Sequence, residues 1–369
     1  MFKKVIINSF RGINNLEIDD LKRINLFVGK NNCGKTSVLE GIYLLSNPLT
    51  ILNLIDIRNF ENFKEIYKDS EVFNNALLTI FNKINTNIPI KISGYINSHE
   101  MKELIINYMD GSEIKYDENI GGFPIGGLRL NYTTFKVSDI KNVKVYEISI
   151  WEGRLKKVVI KENNNIKSVV PLPTGVRISR IMGLAKEQKS IYLSPKIDIS
   201  NMVEWINKLQ ISKEIDKIIE ILQKIEPSIK DLRIGAEGII YCDIEAEKLI
   251  PINVMGDGIL KLLIILSAIY NAKDGFVFID EIENGLHYTS LEILWRGIFE
   301  ASKKFNVQLF ATTHSWECIK AYIDVYENMK SKDIDIMLYR IERYNNEFKA
   351  IDYDKETLKE AINMEWEMR

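Results

Sequence analysis

Residues 29–36 read Gly29-Lys30-Asn31-Asn32-Cys33-Gly34-Lys35-Thr36, which is a complete G-x-x-x-x-G-K-[ST] pattern. The apolar run Ile24–Val28 precedes it and reads as a buried strand, and the apolar residues of Ser37–Leu45 recur at helical spacing. Strand, glycine-bearing loop and helix, in this order, are the context in which the pattern forms a phosphate-binding loop. The sequence therefore predicts an α/β fold that binds a nucleotide on this loop.

The residue types of the loop suit phosphate groups. Gly29 and Gly34 allow the backbone to curl so that successive N–H groups point into one concavity, which the positive end of the helix dipole also faces. Lys35 is predicted to reach the β- and γ-phosphates, and the Thr36 hydroxyl is predicted to bind Mg²⁺. The predicted nucleotide contacts are Gly29, Lys30, Asn31, Asn32, Cys33, Gly34, Lys35, Thr36 and Ser37.

Two later apolar runs also read as core strands that end in polar side chains. Phe276–Ile279 leads into Asp280, the second predicted Mg²⁺ ligand, and Glu281, the predicted base for the attacking water. Val307–Ala311 is followed by His314, which is predicted to donate to the γ-phosphate and to sense its loss. Taken alone, an acidic turn or a lone histidine is often structural, but here both follow a complete phosphate-binding loop.

The stretch Met255-Gly256-Asp257-Gly258 opens an apolar helix that begins near Ile259. Two glycines and an acid at this place are consistent with a simple turn and helix N-cap. The alternative is a loop that offers its helix N-terminus to the γ-phosphate held by a second subunit. Both interpretations stay open on the residues alone.

In this order the motifs resemble the RecF/SMC/OLD branch of ABC-type ATPases, and especially its short stand-alone OLD-like members, commonly described as AAA-family ATP/GTP-binding proteins. The resemblance implies a P-loop NTPase with an ABC-ATPase-like head: a parallel core sheet, an inserted antiparallel β subdomain and a helical lobe. It also implies Lys35, Glu281 and His314 as the catalytic residues. The residues that carry it are Phe10-Arg11-Gly12, the loop at 29–36, Met255–Gly258, Ile279–His287 and Phe310–Ser315.

Further roles follow from the resemblance. Met255, Gly256, Asp257 and Gly258 match the signature loop, which acts in trans, and Asn284, Gly285, Leu286 and His287 match the D-loop. Transporter signatures carry serine where this chain has Gly256, so the resemblance to transporters is weaker. Arg11 is either a phosphate contact or a surface arginine. The implied assembly is a homodimer formed through ATP and released by hydrolysis.

The resemblance also suggests partners. Full-length OLD nucleases resemble this head followed by a Toprim nuclease domain, whereas only about 55 residues follow His314 here, short of a ~100–150-residue domain. We therefore expect any nuclease or Toprim activity to reside in a separate partner protein, as in phage-defence systems. The alternatives are a RecF-like DNA clamp, a transporter-coupled ATPase, or a nucleotide-holding scaffold with negligible turnover.

The composition of the whole chain sets limits on these functions. A net charge of −2 gives no overall basic field for DNA, so DNA contact would need a local patch such as Arg154–Lys157 with Lys161, or Arg177 with Arg180. A solvated hairpin or helix face explains these basic residues equally well. The three cysteines have no metal-ligand spacing, and neither a signal peptide nor an apolar run of membrane-spanning length is present. The expected location is cytoplasmic.

The order of the motifs predicts one ATPase head over residues 1–369. Its parts are a phosphate-loop (Walker A) lobe at 1–50, an inserted antiparallel β subdomain at 86–175, and a helical lobe with the signature at 196–274. Residues 275–369 hold the Walker B acids Asp280 and Glu281, the D-loop, the switch His314 and the C-terminal segment. Gln188 or the stretch Tyr192–Pro195 is the expected position of the Q-loop.

Overall fold

The structure is a computed structural model that describes residues 1–51, 54, 70–97, 100–110, 126–136, 144–151, 154–162, 165–171, 189–195, 199–235, 238–329, 334–345, 347–354 and 357–358. The chain divides into two compact units. Unit 1 comprises Met1–Leu21, Asn32–Glu187 and Ile341–Ala350, and unit 2 comprises Lys22–Asn31, Gln188–Arg340 and Ile351–Arg369. The division falls inside the phosphate-binding loop, between Asn31 and Asn32.

The described chain contains both β-strands and α-helices. The strands are β1 (Lys4–Phe10), β2 (Ile13–Ile18), β3 (Ile24–Val28), β4 (Ile90–Asn97), β5 (Glu100–Asp110), β6 (Gly126–Lys136), β7 (Lys144–Trp151), β8 (Arg154–Glu162), β9 (Asn165–Pro171), β10 (Ser190–Leu193), β11 (Asp231–Ile234), β12 (Ile240–Asp243), β13 (Ile250–Pro251), β14 (Phe276–Ile279), β15 (Gln308–Thr312), β16 (Ile336–Tyr344) and β17 (Glu347–Tyr353). The α-helices are α1 (Lys35–Ser46), α2 (Ser70–Leu78), α3 (Ile199–Ile211), α4 (Asp216–Gln223), α5 (Asp257–Asn271), α6 (Leu291–Lys304) and α7 (Trp316–Asn328).

Unit 1 is built on an antiparallel sheet with the strand order β2-β1-β4-β5-β6-β7-β8-β9. Strands β4 to β9 pair in chain order as successive hairpins. β1 joins this sheet through the register Val5↔Gly94 and pairs with β2 on its other side. Helix α1 packs on β1, β4 and β5, which places the helix that follows the phosphate-binding loop on this sheet.

Unit 2 contains a sheet with the strand order β10-β14-β15-β3-β16-β17, in which β16 and β17 also contribute residues to unit 1. The pairings from β10 to β16 are all parallel. Every residue of β3, β14 and β15 is buried, as expected for parallel strands covered on both faces. Because these three strands are parallel neighbours, the segments that follow Val28, Ile279 and Thr312 leave the same edge of the sheet.

The hydrophobic core of unit 2 lies between this sheet and the helices that follow β10. Leu26 and Val28 of β3 belong to one buried cluster with residues of α3 to α7. Near its centre, Trp295 of α6 lies edge-on to Tyr322 of α7, with ring centroids 4.8 Å apart. Among the described residues, no helix is long and apolar enough to cross a membrane.

The antiparallel sheet of unit 1 differs from the predicted domain outline. It takes in β1 and β2, which the sequence analysis placed in the 1–50 lobe, as well as the hairpins of 86–175. The alternation of apolar and polar residues in the sequence indicates each strand. The strand β4 that pairs with β1 lies far along the chain, so no local sequence pattern predicts this pairing. Of the other predictions, Arg177, Arg180 and Gln188 lie outside the described residues.

Candidate nucleotide-binding and hydrolysis site

The phosphate-binding loop begins where β3 ends. In unit 2, Gly29 is buried with φ 138°, and Lys30 and Asn31 are exposed. In unit 1, α1 begins at Lys35 behind Gly34, and the N–H of Val38 donates to the Gly34 carbonyl at 2.9 Å. The helix has neither a side-chain cap nor an acid in its first turn. A helix start without a capping side chain or an acid presents the positive end of its dipole to an anion.

The structure leaves no room for a side chain at Gly34. Its φ of 99° is left-handed, and a Cβ built on it would lie 2.8 Å from Cε1 of Phe348, a residue of β17 within unit 1. Phe348 in turn lies under the Arg343 guanidinium, 5.4 Å from the ring centroid. Both the backbone angle and the aromatic ring therefore require glycine at this position.

The remaining loop residues of unit 1 lie close to the helix start. Lys35 and Thr36 are half-buried, and Ser37 is buried. Cys33 is buried, and desolvation raises the pKa of its thiol, although Lys35 opposes that shift. A thiol held in this way is a poor nucleophile, so Cys33 fills space in the loop.

The two predicted Walker B acids are both hydrogen-bonded to Thr312 at the end of β15. Asp280 is buried, and its Oδ1 accepts a 2.6 Å hydrogen bond from the hydroxyl of Thr312. The same hydroxyl accepts from the backbone N–H of Glu281 at 2.8 Å. Glu281 has a φ of 49°, a conformation that costs a non-glycine residue free energy and that is concentrated at functional sites. Sequence reasoning did not single out Thr312, whose only signal is its place at the end of the next strand.

His314 follows the end of β15 and is oriented by Glu283. Its Nδ1 lies 3.0 Å from the Glu283 Oε1, and its backbone N–H donates to the same oxygen at 2.9 Å. The imidazole is about half exposed, whereas the glutamate is buried. In unit 2 the structure thus brings Gly29, Asp280, Glu281 and His314 to one sheet edge.

The predicted signature residues occupy the start of α5. Gly256 has φ 95° and ψ 152°, a combination essentially restricted to glycine, and its built Cβ meets no atom of the described residues within 4 Å. Gly256 and Asp257 are exposed, and Met255 and Gly258 are half-buried. A Cβ on Gly258 would lie 2.8 Å from the Ser290 hydroxyl oxygen, so the segment before α6 closely approaches this loop.

The predicted D-loop is an exposed turn. Gly285 has φ 75°, and its built Cβ also meets no described atom within 4 Å. Leu286 packs against the core of unit 2, whereas Asn284 and His287 are exposed. His287 Nδ1 lies 2.9 Å from the Thr289 hydroxyl, and the backbone carbonyl of Asn284 accepts from Lys261 at 2.5 Å. The turn is therefore anchored to α5 by one carbonyl and to the core by Leu286, and its other side chains are exposed.

Arg11 has a buried partner within unit 1. Its Nε lies 2.6 Å from Oε2 of Glu40 on α1, and the two side chains are 10% and 0% exposed. An arginine buried to this extent is not the surface arginine that the sequence allowed. This pair ties the turn after β1 to the helix that carries the phosphate-binding loop. A direct contact of Arg11 with phosphate stays a prediction.

Replacing Arg11 by alanine tests which role dominates. We expect Arg11→Ala to lower the free energy of unfolding by about 3–5 kcal/mol, because the buried Glu40 carboxylate loses this partner. Arg11→Met combined with Glu40→Leu removes both charges and should regain most of the stability. Denaturant unfolding measures both. Unchanged stability with a KM for ATP raised more than about tenfold would instead assign Arg11 to the phosphates.

The donor set suits magnesium. The predicted ligands, the Thr36 hydroxyl and the Asp280 carboxylate, are oxygens, and the described residues hold no group of three or more His, Cys, Asp or Glu arranged for a metal. Mg²⁺ is typically bound by one or two protein oxygens together with substrate phosphates and water, rather than by an all-protein cage. The residues therefore fit Mg²⁺ delivered with a nucleotide.

Comparisons with known proteins agree with this chemistry. A family model described as AAA ATPase domain matches residues 175–319. The chain is 25% identical over 346 residues to a Helicobacter pylori (strain ATCC 700392 / 26695) protein named ATP/GTP phosphatase, covering 87% of each. It is 23% identical over 305 residues to Endonuclease GajA of Bacillus cereus (strain HuB5-5), covering 76% of this chain but 41% of that protein.

Among solved structures, an SMC head crystallised with the C-terminal winged-helix domain of ScpA aligns with a TM-score of 0.50 at 13% identity. The alignment covers 97% of this chain and 99% of that one. This likeness confirms the predicted fold class, a mixed α/β ABC-ATPase-like P-loop fold. The residues that match the AAA ATPase domain include the predicted signature loop and His314. The chain is therefore an ATPase with an ABC-type head fold.

Proposed function

We propose that two copies of this chain enclose ATP and Mg²⁺ between them and that hydrolysis separates them. The observation that carries the proposal is the start of α5, where Gly256 and Asp257 are exposed and the space at Gly256 is open within the described residues. A helix N-terminus presents N–H groups and the positive end of its dipole to a phosphate, and in α5 the acid Asp257 in the first turn opposes part of this attraction. In the proposed dimer this helix N-terminus would contact the γ-phosphate on the phosphate-binding loop of the other copy.

Exposed apolar side chains beside these loops support an interface there. Val254, directly before the signature loop, is 69% exposed, and Tyr288, directly after the D-loop, is 64% exposed. Protein interfaces combine apolar and aromatic contacts with backbone groups of this kind. Because ATP would bind more tightly to the dimer than to the monomer, it would shift the equilibrium toward the dimer.

Hydrolysis is proposed to follow from the residues at the sheet edge. Thr36 and Asp280 are the residues that would hold Mg²⁺, which would supply positive charge beside the phosphates. Lys35 would bind the β- and γ-phosphates, and Glu281 would accept the proton of the attacking water. Thr312 fixes the backbone of Glu281 and one oxygen of Asp280 at once, so the two acids keep distinct orientations. His314 would donate to the γ-phosphate.

A mixing experiment tests the shared site. Lys35→Ala is expected to lose nucleotide binding on its own loop, and Gly256→Glu places a negative charge where the partner's phosphate would lie. Each variant alone should be inactive. In an equimolar mixture, half of the dimers contain one intact site, so turnover should recover to about a quarter of the wild-type value.

The mixture is informative because neither variant forms an intact site with a second copy of itself. Recovery to this level at micromolar concentration, lost on dilution, would establish sites built from two chains. A mixture as inactive as its components, while each variant remains folded by thermal unfolding, would contradict the proposed dimer. The control mixture pairs Lys35→Ala with Lys35→Ala/Gly256→Glu, which should stay inactive.

The readout of the switch is proposed to be a separate effector, either a nuclease or Toprim protein in a phage-defence-type process, or DNA itself. The similarity to a protein named endonuclease supports the first. The alternative is a RecF-like DNA clamp that works without a nuclease. DNA binding that requires ATP and falls steeply with salt would favour the clamp, and DNA indifference would favour the effector protein.

A further inference from the structure

Lys261 is a buried cation in α5, the most apolar of the described helices. It lies one turn into α5, is 7% exposed, and is flanked along the helix by buried apolar residues of the unit 2 core. Its Nζ donates at 2.5 Å to the backbone carbonyl of Asn284, the first residue of the D-loop. A single side chain therefore connects the helix that starts at the signature loop with the exposed turn at 284–287.

Glu283 occupies the neighbouring position and faces the switch histidine. It is 9% exposed, and its Oε1 lies within hydrogen-bond distance of both the backbone N–H and Nδ1 of His314. Among the described residues, its Oε2 is buried without a hydrogen-bond partner. Because Nδ1 is directed at Glu283, Nε2 is the nitrogen left for any other contact.

The two buried charges belong to one network. Lys261 binds the carbonyl of the residue directly after Glu283, and the Glu283 carboxylate is the largest electrostatic influence that favours the charged form of Lys261. Burial nevertheless lowers the pKa of Lys261 to about 8, so holding this ammonium costs the fold free energy. A methionine would fill the same space without that cost, and such replacements are often neutral or stabilising. Stability alone therefore does not account for the lysine.

We propose that Lys261 and Glu283 are positioning residues that hold the signature helix, the D-loop and the side chain of His314 in one fixed arrangement. Lys261 fixes the distance between the Asn284 carbonyl and α5, and Glu283 fixes the orientation of the His314 imidazole. The inference rests on the ATP hydrolysis proposed for Glu281 and His314. Neither positioning residue is among the predicted nucleotide contacts, and both are proposed to act on turnover through the groups that they orient.

The test is a set of double-mutant cycles on steady-state ATP turnover. Lys261→Met and Glu283→Gln are each expected to lower kcat about tenfold or more while KM for ATP changes less than about threefold, as expected when groups are misplaced rather than removed. The double variant should be within about twofold of the worse single variant, because coupled residues give non-additive effects. Lys208→Met on α3, an exposed lysine paired with Glu204, is the control and should retain wild-type kcat.

A second cycle couples Glu283 to His314 and starts from a variant that is expected to fold. His314 is half exposed, so His314→Ala should fold, and in that background Glu283→Gln should change kcat less than about twofold. Multiplicative losses in both cycles, or a wild-type kcat for Lys261→Met, would overturn the proposal. If Glu281→Gln keeps full turnover, the proposed base is wrong, but the coupling of Lys261, Glu283 and His314 is measured with Glu281 intact and would stand.

Discussion

Glu281→Gln is expected to lower ATP turnover by about 100-fold or more, while ATP binding is preserved, because a positioned general base contributes about 10²–10⁴-fold. Glutamine keeps the size of the side chain and the backbone N–H bond to Thr312, which also binds Asp280. The substitution therefore removes only the proton acceptor. Turnover at saturating ATP and Mg²⁺, together with ATP affinity, measures the two effects separately.

Glu292→Gln is the matched control for this variant. Glu292 is an exposed acid in the first turn of α6 within the same unit, and its replacement should leave turnover within about twofold, as surface substitutions usually do. A Glu281→Gln protein with wild-type turnover would show that another group accepts the proton. Loss of ATP binding together with turnover would show that Glu281 acts in binding instead.

Gly34→Ala is expected to abolish measurable turnover and to weaken ATP binding about 100-fold or more, since small displacements of positioning groups have effects of this size. The added methyl group would lie 2.8 Å from Phe348, and the φ of 99° is unfavourable for alanine. The free energy of unfolding should fall by about 2–4 kcal/mol from strain and overpacking together. Isothermal titration with ATP and denaturant unfolding give the two numbers.

Two further variants separate the causes of this loss. Gly238→Ala has a comparable left-handed φ of 75° but meets Val203 only at an ordinary 3.6 Å, so it reports the backbone strain alone. It should cost about 1 kcal/mol of stability and leave ATP binding unchanged. Phe348→Leu in the Gly34→Ala background should recover part of the stability. Full ATP affinity in Gly34→Ala would contradict the assignment of this loop to the phosphates.

The sequence predicted those features of the fold and the site that depend on a single short segment. The buried runs of β3, β14 and β15 and the polar residues after them were readable because a parallel strand is apolar throughout and its carboxyl end holds the chemistry. This was enough for the α/β fold class and for the order of the motifs. The predicted contacts of individual residues with nucleotide remain predictions.

Other features depend on partners that are distant in sequence. The register of β1 on β4, the burial of Arg11 against Glu40, and the place of Phe348 beside Gly34 arise from packing between segments with no shared local pattern. In the sequence, Lys261 interrupts the apolar run that begins at Ile259 and gives no sign of a partner. Only the structure shows that its ammonium reaches the D-loop carbonyl.

The most direct test of the ATP-driven dimer is the mass in solution of Glu281→Gln, with and without ATP and Mg²⁺, beside the wild-type protein. A slow-hydrolysing variant should accumulate the nucleotide-bound form, so its mass should double only when both ATP and Mg²⁺ are present. Wild-type protein should return to its starting mass as ATP is consumed. A mass that ignores ATP in the variant would contradict the switch and would indicate an assembly independent of nucleotide.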